Sequence, residues 1–246
     1  MTKPISKSQI DSLGKRLKKG KSSDEDLQLL EQYRQSFATA YEIVCNSIRE
    51  KLSLETTGRQ KTTQSIVDKL RRESIRLTQI QDIAGCRVIA IDIANQNEVV
   101  ASLRNHFENV IIVDRCENPS HGYRAVHVIV EFEGKLIEIQ VRTTLQQLWA
   151  ELSEKLADMF GQEVKYGGGS NDTKSLLEMS SEEIIRIEAA EKAWENVGNN
   201  ILLQRPELKV LLSSILSEKP VMLDTLHDVI KGFEFELRRD SHDFFD

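Results

Sequence analysis

The stretch that most constrains this chain is residues 123–142. Val126, Val128, Val130 and Phe132 share one parity, Glu133-Gly134 is a turn signal, and Ile137, Ile139 and Val141 again share one parity. Side chains of a strand alternate between its two faces, so this pattern predicts an antiparallel hairpin with one apolar face. On the second strand Glu138, Gln140 and Arg142 take the other parity and fall on the non-core face. In a regular hairpin His127 points to that same face from the first strand. A polar row over an apolar underside is either a solvated sheet face or the floor of an active site.

The flanking sequence predicts a mixed sheet with helices around it. Ser22–Asp24 supply N-cap residues for one long helix ending near Leu54, with Leu27, Leu30, Tyr33, Phe37, Tyr41, Val44 and Ile48 as its apolar stripe. Residues 56–62 read as a basic loop and 63–76 as a helix with Ile66 and Leu70 inward. Residues 86–93 read as a buried strand, 95–107 as a helix, 110–114 as a strand, and 144–160 as a helix with Leu145, Leu148, Leu152 and Leu156 inward. KYGGGS at 165–170 is a break, and 173–240 reads as helical with breaks at Asn199-Asn200, Pro206 and Pro220. The expected class is α/β (α+β). It divides into an N-terminal helical segment over 1–55, a catalytic core over 56–165 and a C-terminal helical segment over 166–246.

Composition narrows the function classes. With 33 Lys+Arg against 39 Asp+Glu in 246 residues, the net charge of -6 does not advertise a nucleic-acid binder, although local basic clusters can still hold phosphates. Cys45, Cys86 and Cys116 are odd in number and widely spaced, with no CxxC pair, which argues against a zinc ribbon or dithiol chemistry and suits a reducing cytoplasm. No apolar run approaches the ~20 residues that span a bilayer. The expectation is a cytoplasmic protein without a membrane partner.

Two carboxylates stand out. Asp82 opens DIAGCR just before a predicted strand, where it suits either a turn or a hard-cation ligand. Glu138 lies mid-strand, where Glu is disfavoured unless the face is solvated or functional. One carboxylate on each of two neighbouring strands would make a metal site for phosphoryl-type transfer. Upstream lie Arg59, Lys61, Lys69, Arg71, Arg72, Arg76 and Arg87, which read as a triphosphate-binding set or, in part, as solvated helix face. Tyr123 suits base stacking or an ordinary core edge, and His127 suits a site or a hydrogen-bonded sheet histidine. Gly167–Gly169 lack the Lys-Ser/Thr of a P-loop. His227-Asp228 and His242-Asp243, in the helical tail, read as solvated pairs.

The runs GRQKTTQSIVDKLRRE, DIAGCRVIA, HGYRAVHVIV and EIQVRTTLQQLWAELSEK, in this order and spacing, resemble the synthetase domain of the RelA/SpoT alarmone family over about 56–160. The resemblance implies a nucleotidyltransferase-like mixed sheet and transfer of pyrophosphate from ATP to the 3′ hydroxyl of GDP or GTP. It implies Mg²⁺ held by Asp82 and Glu138, with Glu138 also activating the acceptor hydroxyl. Arg59 and Arg87 would sandwich adenine; Lys61, Lys69 and Arg72 would contact ATP phosphates. Tyr123 would stack on the acceptor base beside His127, with Gln140 and Arg142 in support. Two departures bear on the acceptor: GYRAVH stands where many members have GYRSLH, and the helix reads LWAELSEKLAD where many members place His or Lys near Ser153-Glu154. Small members often resemble tetramers held by terminal helices, so a homo-oligomer is an expectation. A toxic subgroup with antitoxin partners pyrophosphorylates the 3′ CCA end of tRNA instead. Its basic N-terminal patch would correspond here to Lys15, Arg16, Lys18, Lys19 and Lys21, which read equally as a solvated helix end.

Overall fold

The computed structural model describes residues 5–20 and 22–242; of these, the side chains of 59–60, 197–204 and 238–242 are not described. The chain divides into two compact units whose segments alternate along the sequence. One comprises Met1–Val88, Ser102–Val113 and His127–Gln140; the other comprises Ile89–Ala101, Asp114–Val126 and Val141–Asp246. A mixed five-stranded sheet runs in the order β1-β2-β5-β4-β3, from β1 (Thr57–Gln60), β2 (Ala84–Ala90), β3 (Ile111–Asp114), β4 (Val126–Phe132) and β5 (Lys135–Thr143). No helix among the described residues is long and apolar enough to cross a membrane.

In the first unit, α1 (Lys7–Lys18), α2 (Asp24–Gln35), α3 (Ala38–Leu52) and α4 (Thr63–Arg72) accompany the sheet. Ser6 and Ser23 each cap a helix reciprocally with the residue three on, satisfying amides that a helix start leaves open. The long helix expected over 24–54 is two helices, broken at Ser36-Phe37. Lys135 enters there, donating to Ser36 Oγ at 2.8 Å with its ammonium 4.5 Å from the Phe37 ring centroid and 5.0 Å from that of Tyr33. Because Ser36 and Phe37 both stay in the right-handed helical region, the apolar stripe carries on through the break and hides it from periodicity. Leu30, Phe37, Val44 and Ile48 are buried, but Leu27 is exposed.

Residues 57–60, expected as loop, form the edge strand β1. It pairs antiparallel with β2, from Thr57 opposite Arg87 to Gln60 opposite Ala84. Four mostly polar residues carry no alternation signal; pairing comes from the neighbouring strand. Glu133-Gly134 make the hairpin turn with φ of 50° and 71°, the two positive values a tight hairpin turn needs.

The second unit contains α6 (Thr144–Phe160), α7 (Asn171–Gln204), α8 (Pro206–Ser217) and α9 (Lys219–His242); α5 (Ile93–His106) begins in it. Leu145, Leu148, Leu152 and Leu156 are buried in one cluster with Leu177, Ile184, Ile187, Leu226 and Ile230. α6 stops at Gly161 (φ 109°), a short 3-10 helix over Gln162–Tyr166 follows, and the expected break falls at Gly167 and Gly169, both at positive φ. No break occurs at Asn199-Asn200: α7 runs to Gln204, and the chain turns at Arg205 with Pro206 starting α8. Asn costs a helix interior well under 1 kcal/mol, roughly a quarter of what proline costs, so only proline enforces the stop.

Candidate active site

Asp82 sits two residues before β2, with its side chain 14% exposed and both carboxylate oxygens occupied by cations. Lys61 Nζ lies 2.5 Å from Oδ2, and Lys69 Nζ lies 2.9 Å from Oδ1. Lys61 follows β1 directly, and Lys69 comes from the last turn of α4, so three elements converge on one carboxylate. Burial alone would push this carboxyl up; the attraction and hydrogen bonds of the two ammonium groups outweigh it and hold it at about 2. Two positive groups over one negative leave an excess of one charge, a suitable sign for a polyphosphate.

Glu138 lies in β5, the strand next to β2, and is 6% exposed. Its Oε1 is 2.8 Å from His127 Nδ1 on β4, and its Oε2 accepts from Gln140 Nε2 at 2.7 Å. An ionised carboxylate only accepts, so Nδ1 carries the proton in that pairing. Alternation placed these three residues together correctly. The face is not solvated, however: Glu138, Gln140 and Arg142 are all buried.

Gly85 lets β2 lie against the Glu138 backbone, and residue-type reasoning missed it. A Cβ on Gly85 would stand 2.4 Å from the Glu138 carbonyl oxygen and 3.3 Å from its Cβ. Only a residue without a side chain lets β2 approach β5 this closely. Asp82 is three residues upstream, within about 10 Å along even a fully extended chain.

In the second unit, Arg142 is fully buried; its Nη2 donates to the Tyr123 hydroxyl at 2.9 Å and its Nη1 to Gln147 Oε1 at 2.9 Å. The guanidinium stands 5.1 Å from the centre of the Tyr123 ring, within cation–π range. Tyr123 is thus half-buried, packs against the cluster around Leu145 and has its orientation fixed.

The other predicted residues separate by place. Arg87 is half-buried on β2, and Arg59 lies opposite Gly85, its side chain outside the described residues. Arg72 is exposed at the end of α4, with Nη2 3.1 Å from Glu73 Oε1. In the N-terminal basic run Arg16 grips Asp26 through Nε and Nη2, and Lys18 Nζ donates to the Glu73 carbonyl at 2.9 Å. Lys15 and Lys19 are exposed, and Lys21 lies outside the described residues. His227 and Asp228 are exposed on α9; the side chain of His242 and all of Asp243 lie outside the described residues.

Two oxygen donors suit magnesium, which keeps several waters and takes one or two carboxylates plus substrate phosphates. Among the described residues no three or more His, Cys, Asp or Glu side chains come together to cage an ion.

The family model described as a region found in RelA / SpoT proteins matches residues 58–157. The uncharacterized protein Rv1366 of Mycobacterium tuberculosis is 39% identical over 117 residues, covering 46% of this chain and 43% of that one, so this chain spans less than half the length of the curated mycobacterial relatives it matches. The GTP pyrophosphokinase YjbM of Bacillus subtilis is 30% identical over 148 residues, covering 54% of this chain and 67% of that one. A solved GTP pyrophosphokinase family protein from Streptococcus pneumoniae superposes with a TM-score of 0.53 at 25% identity, covering 73% of this chain and 96% of that one. The match over 58–157 takes in Asp82, Gly85, His127 and Glu138, and with two thirds of YjbM aligned at this identity the chain belongs to the RelA/SpoT family.

Proposed function

We propose that this protein is an ATP-dependent pyrophosphokinase that transfers a diphosphate group to the 3′ hydroxyl of GDP or GTP. The observation that carries the reading is the contrast between two carboxylates, Asp82 just before β2 and Glu138 on the adjacent strand β5. Asp82 lies under two ammonium groups, as a phosphate-binding end would require. Glu138 lies under one imidazole and one amide, as a proton-accepting end would require. The name of YjbM supports the guanosine acceptor.

In this reading the acceptor 3′ oxygen attacks the β-phosphorus of ATP. A new O–P bond forms, the bond from that phosphorus to the α–β bridging oxygen breaks, and AMP leaves. Glu138 takes the proton of the 3′ hydroxyl. A carboxylate has about four lone-pair sites, so accepting from His127 and Gln140 leaves room for the hydroxyl and fixes where it must sit. Lys61 and Lys69 exchange Asp82 for phosphate oxygens when ATP enters, which frees the Asp82 carboxylate from its two ammonium partners. Asp82 and Glu138 would hold Mg²⁺, which supplies charge neutralisation at the phosphates when bound. Arg59, Arg87 and Arg72 serve the ATP end; Tyr123, held by Arg142, serves the acceptor base.

The test is incubation of the purified protein and Mg²⁺ with ATP labelled in its β-phosphate, plus GDP, GTP or deacylated tRNA. The expected result is label in the guanosine nucleotide and stoichiometric AMP. Label confined to RNA, or no AMP with any acceptor, overturns the reading.

A further inference from the structure

Residues 120–125 carry Tyr123, and both of its chain neighbours are tied to the same helix. Gly122 has φ of +83°, and its carbonyl accepts from Ser181 Oγ at 3.2 Å. A Cβ on Gly122 would reach 2.6 Å from Trp149 Cζ2 and 3.3 Å from Ser181 Cβ, so the glycine is pressed between α6 and α7. Arg124 donates from Nε (3.1 Å) and Nη2 (2.8 Å) to Glu188 Oε2. Its Nη1 donates to the Cys116 carbonyl at 2.9 Å. The other oxygen of Glu188 accepts from Thr143 Oγ1 at 3.0 Å and from Gln146 Nε2 at 2.7 Å. Glu188 is 3% exposed.

Ser181, Ile184 and Glu188 lie three and four residues apart, which puts them on one face of α7 over about 10 Å. Trp149 Nε1 donates to the Leu177 carbonyl at 3.0 Å, one turn earlier on that face. A buried, fully hydrogen-bonded ion pair contributes little net stability over apolar packing, but it allows only one geometry. Here the geometry it fixes is that of the segment bearing Tyr123. The helix that does so lies outside the 58–157 region matched to the family.

We propose that Ser181 and Glu188 are positioning residues for the acceptor: they clamp Gly122 and Arg124 so that Tyr123 is presented to the purine of the acceptor nucleotide, a role that rests on the pyrophosphokinase reading above. The chemistry stays with Asp82 and Glu138, and the clamp acts on recognition of one of the two substrates.

Ser181→Ala and Glu188→Gln, with ATP and GDP or GTP varied separately, test the idea alongside amide exchange over residues 116–125. Removing one or two hydrogen bonds should raise the acceptor KM about threefold in Ser181→Ala and about tenfold in Glu188→Gln. The ATP KM should hold, and exchange around Gly122–Arg124 should quicken. Equal rises in both KM values, or unchanged exchange, overturn the clamp while leaving the functional reading intact. If Glu188→Gln does not fold, Ser181→Ala decides, since it deletes one hydroxyl. Wild-type protein that turns over neither GDP nor GTP defeats the functional reading instead, and the acceptor role with it.

Discussion

Asp82 and Glu138 differ in what each would lose on substitution. Asp82 titrates at about 2 in the fold, below its ordinary value of 3.8, so folding favours its ionised form. That contribution is about 2 kcal/mol above pH 4 and disappears as pH falls through about 2. Wild-type protein should therefore lose stability relative to Asp82→Asn across that window, measured by denaturant unfolding at several pH values; parallel curves would refute the Lys61–Asp82–Lys69 cluster. Glu138→Gln keeps size and shape but cannot accept the proton. Its kcat should fall by about 10²–10⁴-fold at unchanged melting temperature, the range for losing a general base. Near-normal turnover would remove Glu138 from the chemistry.

Strand pairing shows what the sequence could and could not reveal. The hairpin, its turn and the facing of His127 to Glu138 were legible because period-two alternation and a Glu-Gly turn are local signals. The buried stripe of α6 was legible because leucines three and four apart mark one helix face, also a local signal. What covers a strand face is not local, so Glu138, Gln140 and Arg142 could not be read as buried. Nor could β1, whose pairing exists only because β2 lies beside it, or the anchoring of Arg124 by Glu188, 64 residues away. Gly85 belongs to the same class, since its neighbour is a carbonyl on another strand. Gly85→Ala should cost about 1–3 kcal/mol, because backbone on β5 must move to admit the methyl group, and activity should fall with it through Glu138. Equilibrium unfolding and a rate assay would check both; an unaffected protein would show the β2–β5 approach to be looser than described.

Across the whole molecule, sequence order and compact units do not coincide. Each unit gathers three separate stretches of chain. Leu177, Ile184, Ile187, Leu226 and Ile230 bury themselves in the cluster that receives the inner face of α6. At about 1.5–3 kcal/mol each, these five side chains contribute roughly 8–15 kcal/mol, as much as the net stability of an ordinary domain. A chain ending at residue 166 should accordingly show no cooperative unfolding transition and should bind a hydrophobic dye, and a sharp transition in that fragment would contradict the shared core. Trp149 gives the intact protein an optical consequence. Its indole is buried, with its ring against Gly122 and its N–H on α7, so its emission reports on the very segment that carries Tyr123. With Trp194, the other of the two tryptophans, replaced by Phe, Trp149 becomes the single tryptophan whose emission reads the packing of α7 against the Tyr123 segment.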